Sequence, residues 1–181
     1  MPNYCYNTLR LHHANPAEID SAMRALQRGD FLTTFIPTPK DLEQTIAGTA
    51  GAPDSPEQIE LDQRRTANLE RYGYPDWYEW RIDHWGTKWD IEDKDPKRVS
   101  DNTLTACFMS AWAPPVEAYN HLQDMGFTIE ATYVEEGACF VGEYNDGIDE
   151  CYSFYTPEDL KQIPERLRDL LSEELFEEIE E

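Results

Sequence analysis

TLTACFMSAWAPPVEAYNHLQDMGFTIEATYV, residues 103–134, reads as strand, helix, strand. Its first run, 103–111, has the Thr, Phe and small apolar residues of a strand. Pro114-Pro115 opens a helix with Val116, Tyr119, Leu122 and Met125 on one face, and Gly126 stops it. Phe127, Ile129, Ala131 and Tyr133 then alternate with other residues, the period of a strand with one buried face.

The same order recurs upstream. Residues 4–11 are β-prone, Asn15 caps a helix with Pro16 at its first position, and Ile19, Ala22, Met23 and Leu26 recur at helical spacing up to Gly29. Phe31–Ile36 has the apolar residues to start a strand, ended by Pro37 and Pro39. A Gly/Ala/Thr/Pro-rich loop covers 43–57, and a polar helix over 56–72 is capped by Ser55. Residues 87–92 read as a strand and 92–102 as a charged turn into the strand at 103–111.

Downstream, 138–144 and 149–154 pair across an Asn145-Asp146-Gly147 turn. A last helix runs from Pro157 to about residue 179, with the stripe Leu160, Ile163, Leu167, Leu170, Leu171, Leu175 and Ile179. The order β-α-(insertion)-β-β-α-β is that of an α+β, ferredoxin-like (split βαβ) sheet. Residues 1–36 and 77–134 form its core, 37–76 are a mid-chain insertion, and 135–181 add an acidic hairpin and an acidic C-terminal helix. The whole chain is one domain.

The 181 residues carry 37 acidic and 15 basic side chains, a net charge of −22. That balance argues against binding a phosphate backbone, which needs clustered Lys and Arg. It favours basic partners instead. Residues 130–181 hold 17 acidic and 3 basic side chains, so −14 of the −22 lies there. No window has the roughly 20 apolar residues of a membrane span, and no signal peptide is visible, so the expected location is the cytoplasm. Cys5, Cys107, Cys139 and Cys151 have no Cys-x-x-Cys spacing and read as buried free thiols in a reducing compartment. A zinc site of Cys5 with His12 or His13 has no support in the spacing.

Several short motifs stand out: Pro2-Asn3 and Asn7, Ile36-Pro37-Thr38-Pro39, Trp85-Gly86-Thr87-Lys88-Trp89, Ser110-Ala111-Trp112-Ala113-Pro114-Pro115, Glu135-Glu136-Gly137 and Gly142-Glu143. In these the chain resembles the YubB-like family of plasmid- and phage-encoded proteins with a ferredoxin-like domain. The resemblance covers most of residues 1–144, outside the 43–75 segment and the C-terminal helix. It departs at His84, where the family has Asn, and at Ser110, where the family favours Thr. It implies a fold and a mobile-element origin, and no enzymatic activity.

Three candidate sites follow. Trp85, Lys88, Trp89 and Trp112 would form a ligand cleft; the plainer alternative is that the tryptophans fill the core and Lys88 lies over a ring. Glu135, Glu136, Glu143, Asp146, Asp149 and Glu150 would gather on one hairpin edge, as a cation site or simply a solvated face. With Glu173, Glu174, Glu177 and Glu178 they would make an acidic ridge that imitates a nucleic-acid backbone. No Ser-His-Asp or Cys-His arrangement and no phosphate loop is present, which argues against an enzyme and calls for no cofactor.

The expectation is therefore a non-enzymatic binding protein that blocks a basic, nucleic-acid-binding host protein, in the manner of an anti-restriction or anti-CRISPR inhibitor. The alternatives are a small-ligand or metal-dependent activity in the Trp-lined cleft, and a structural or oligomerising domain whose acidity serves solubility or salt adaptation. The sequence leaves the oligomeric state open.

Overall fold

Strand β1 (Tyr4–His13) buries every second residue, Cys5, Asn7, Leu9 and Leu11, and turns Tyr6, Thr8, Arg10 and His12 outward. A strand's side chains alternate between faces, so this pattern fixes the orientation of all its neighbours. The computed structural model describes residues 3–172 together with 175 and 179.

β1 is followed by α1 (Pro16–Arg28), α2 (Phe31–Phe35), α3 (Lys40–Glu43), α4 (Pro56–Tyr72) and α5 (Trp77–Trp85). Then come β2 (Glu92–Ser100), β3 (Thr103–Ala111), α6 (Val116–Asp124), β4 (Phe127–Glu135), β5 (Phe140–Asn145) and β6 (Ile148–Ser153). Two short turns of helix, α7 (Pro157–Leu160) and α8 (Glu165–Arg168), follow. The strands form one α+β sheet in the order β2-β3-β1-β4-β5-β6, every neighbouring pair antiparallel.

Two apolar clusters cover opposite faces. The larger gathers Leu9, Leu11, Ile19, Leu26, Phe31, Trp80, Trp85, Tyr119 and Ile129 under the helices. The smaller joins Val134 and Val141, of the opposite strand parity, to Phe154, Leu160, Ile163, Leu167 and Leu171. The second face is covered only at its β4–β6 end. Over β1 and β3 no element of the described residues covers it, and Tyr6, Thr8, Arg10 and Cys107 are exposed.

Helix caps follow the sequence signals. The Asn15 side chain accepts from the Ala17 N–H, Pro16 begins α1, and Gly29 closes it in the left-handed conformation. Asp146 and Gly147 both have positive φ, 45° and 97°, between the paired Asn145 and Ile148. That is the backbone of a two-residue type I′ hairpin, as the Asn-Asp-Gly stretch predicts.

Four expectations are corrected. Residues 87–91 form no strand, and the strand lies in the stretch 92–100 read as a charged turn. Its charges and Pro96 mimic a turn, but β2 is an edge strand, where a proline without N–H and a row of charges are tolerated. Phe31–Phe35 is a short helix, its first N–H groups at Leu32 and Thr33 donating to the Asp90 carboxylate. The single helix expected from Pro157 to about 179 is broken: the proline at 164 cannot donate within a helix and disfavours helical backbone before it. The apolar stripe still packs, and over residues 157–172 it does so on two short turns with irregular links rather than one rod; most of the expected helix beyond 172 lies outside the described residues. Finally, only Cys5 is buried; Cys107 and Cys151 are exposed and Cys139 is half-buried. Cys107 falls on the open sheet face and Cys151 on the edge strand β6.

The C-terminal turns thus cover the β4–β5 end of the second face. Leu167 has no exposed surface. Leu167→Ala should lower stability by about 2–5 kcal/mol in urea unfolding. A loss below about 1 kcal/mol, the size of an ordinary peripheral change, would mean that this segment lies outside the cooperative core.

Candidate functional site

The Trp85–Trp89 motif divides into two parts. Trp85 is fully buried and its indole N–H donates to the Ile36 carbonyl at 2.9 Å. Gly86 caps α5 at φ 79°, and a Cβ there would meet the Pro114 carbonyl and the Val116 N–H at 3.1 Å. Thr87 Oγ1 donates to the Ala111 carbonyl and accepts from the Ala111 N–H. Trp85 thus ties α5 to the end of α2, and Gly86 and Thr87 join it to the end of β3 and the start of α6. Trp85 therefore belongs to the core and lines no cleft.

Lys88 and Trp89 are different. The Lys88 ammonium lies 4.0 Å from the Trp89 ring centre and 3.7 Å from that of Trp112. An ammonium over indole faces is held by the ring quadrupoles. Trp112, nearly half exposed, has φ 70°, and its N–H donates to the Asn3 carbonyl at 3.0 Å. Left-handed backbone in a bulky residue costs on the order of 1 kcal/mol or more.

Beside the clamp is a cleft of about 330 Å³, lined by Ala47, Gly48, Arg65, Asp76, Trp77, Tyr78, Glu79, Lys88 and Trp89. Polar contacts, most of them partly buried, tie its walls together. Arg65 donates to Asp76 Oδ2 at 2.7 Å and to the Gly48 carbonyl at 3.3 Å. Asp76, almost wholly buried, also caps α5 by accepting from the Tyr78 N–H. Asn68 donates to Thr45 Oγ1 and to the Pro75 carbonyl. Arg81 lies over the Trp85 and Trp77 rings at 4.5 and 5.1 Å and donates to Thr38 Oγ1.

Sequence reading missed Arg65, Asp76 and Trp77 as cleft residues. The available signal was Asp76 ahead of a helix, a good N-cap. It was obscured because the aromatic residues at 77, 78, 80 and 85 lie on several sides of α5 and leave no single apolar stripe.

The hairpin carboxylates are mostly engaged within the chain. Glu135 is buried and accepts from the Gly137 and Ala138 N–H groups, closing the β4–β5 turn. Glu136 accepts from the Ser172 N–H at 2.8 Å, Asp146 from Gln123 Nε2 at 2.8 Å, and Asp149 from the Tyr133 hydroxyl at 2.7 Å. Glu143 forms a two-pronged ion pair with Arg166, whose hydrogen bonds hold the Glu143 carboxyl below the usual glutamate range. Glu150, opposite Glu143 across the β5–β6 ladder, is exposed. Among the described residues no group of three or more His, Cys, Asp or Glu is arranged to hold a metal. Glu173, Glu174, Glu177 and Glu178 lie outside the described residues.

No family model matches this chain, and no curated protein matches it. Among solved structures it is similar to the crystal structure of a protein api92 from Yersinia pseudotuberculosis, described with the family model DUF1281. The TM-score is 0.45 and the identity 11%, over 85% of this chain and 98% of that one.

Two measurements check this geometry. Burial raises the Cys5 thiol to about 12, so Cys5 should react with a thiol reagent at neutral pH only after unfolding, while exposed Cys107 reacts in the native protein. Peptide mapping after timed labelling reads the order. Glu143 has a depressed folded pKa, so its pairing stabilises the fold above the ordinary glutamate value and ceases to do so as pH falls through the depressed one. Arg166→Met should therefore cost stability at neutral pH, modestly because Arg166 is largely exposed. The difference from the parent protein should vanish in strong acid, as followed by thermal unfolding across pH.

Proposed function

We propose that this chain is a non-enzymatic binding protein of YubB-like type, carried by a plasmid or phage, that occupies a basic, nucleic-acid-handling surface of a host protein. The fold reading that goes with it is a ferredoxin-like core of β1-α1-β2-β3-α6-β4 with the β5–β6 hairpin added at one edge. In its favour, α1 and α6 connect strands that are not neighbours: β1 and β2 flank β3, while β3 and β4 flank β1.

One observation carries the functional reading. Ten of the 15 basic side chains are already in ion pairs with carboxylates, so the net −22 sits on acidic groups with few free cations to offset it. Such a surface attracts basic partners over a Debye length, about 8–10 Å at physiological salt, and repels nucleic acid.

The hairpin carries less of this role than its composition suggests, because five of its six candidate carboxylates are engaged internally. Among the described residues exposed Glu150, Glu165 and Asp169 remain; the sequence of 173–181 holds six further acidic residues.

Capture from host lysate, followed across a salt series and with added duplex DNA, tests the proposal. The expected result is a basic partner released by salt and displaced by DNA. Combined Glu173→Lys, Glu174→Lys, Glu177→Lys and Glu178→Lys should weaken capture more than reversal of four acidic residues on α1 and α4. Capture indifferent to both salt and DNA would overturn it.

A further inference from the structure

We propose that the cleft between α4, α5 and Lys88–Trp89 binds a small planar aromatic molecule bearing a single carboxylate. This site is separate from the acidic surface and does not depend on it.

Lys88 is the starting point. Most cations of this chain are neutralised by a carboxylate, but Lys88 makes no ion pair among the described residues and is held between two indole faces instead. The rings attract the ammonium without cancelling its charge. Trp112 is kept in a left-handed backbone conformation where its ring forms one side of this clamp. A strained bulky residue at such a point marks a geometry that the fold maintains at a cost.

The lining sets the ligand's shape. Trp77, Tyr78 and Trp89 give aromatic walls, and about 330 Å³ is at the small end of ligand cavities. The walls are tied to one another by hydrogen bonds within the chain. Arg65 ties α4 to the Gly48 carbonyl and to Asp76, and Asn68 ties the same helix to Thr45 and Pro75. Preorganised walls spare a ligand the cost of ordering them.

The lining also sets the charge. Arg65 is spent on buried Asp76. That leaves Lys88 as the available cation, because the start of α5 is already capped by the Asp76 carboxylate. Glu79 lines the same cleft and opposes further negative charge. One cation facing one anionic wall suits a monoanion. A nucleotide's phosphates would meet too little positive charge.

The test uses 2-naphthoate and its uncharged isostere 2-naphthamide on the full chain, by calorimetric titration and by amide shifts in ¹H–¹⁵N spectra. Naphthoate should bind with a Kd below about 1 mM and the amide at least about tenfold more weakly, a difference of about 1.4 kcal/mol. Shifts should map to 47–48, 76–79 and 88–89. Lys88→Met should erase the preference for the acid. Glu79→Gln, at an exposed position, should tighten naphthoate several-fold and leave the amide unchanged. That variant decides the question if Lys88→Met does not fold. Absence of saturable binding, equal affinity for acid and amide, shifts confined to the open sheet face, or indifference to Glu79→Gln would overturn the proposal.

Discussion

Burial of Trp85 is the constraint on which the helical layer depends. The ring fills the core between α5 and the sheet, and its N–H must find a partner there, because an unsatisfied buried donor costs about 1–3 kcal/mol. The Ile36 carbonyl supplies it, and so fixes the end of α2 against α5. The next two residues extend the constraint: Gly86 lets the chain turn against the start of α6, and Thr87 pairs with both backbone groups of Ala111. One tripeptide thereby joins elements about 50 residues apart on one side and about 25 on the other. Lys88 and Trp89 follow directly on this junction in the chain and Trp112 follows Ala111, so its contacts set where they sit. The clamp is a product of the core.

The sheet was the most legible part of the sequence. Alternation in β1 and β4, the caps at Asn15 and Gly29, and the Asn-Asp-Gly turn are local signals whose physics acts over a few residues. β2 was not legible, because an edge strand needs neither an apolar face nor every N–H, and EDKDPKRVS supplies little else to read. The C-terminal segment was half legible. Its apolar spacing identified the residues that cover Val134 and Val141, but Pro164 interrupted the expected rod, which over residues 157–172 is two short turns. Propensity yields to one missing donor and one steric clash.

The sites divided in a similar way. Carboxylate counting located the hairpin but could not register what each carboxylate does. Glu135 is a turn cap, Glu143 half of an ion pair and Asp149 the acceptor for Tyr133. Composition sums charges, whereas contacts decide which remain available to a partner. The tryptophan motif combined two roles in five residues, and spacing alone could not separate fully buried Trp85 from half-buried Lys88 and Trp89.

The two rims of the sheet have a consequence for self-association. A long, bare strand edge is a template on which further chains can add, rung by rung, into a fibre. On one rim Pro96 removes an N–H from the middle of β2, and its register is interrupted twice, so a third chain's strand would find no regular ladder. On the other, the outermost strand is only six residues long and bears adjacent carboxylates at Asp149 and Glu150. Two copies approaching edge to edge there would meet like charge before any backbone bond could form. Growth along the hydrogen-bonding direction is thus blocked at both ends, and a concentrated solution of this protein should resist fibrillation.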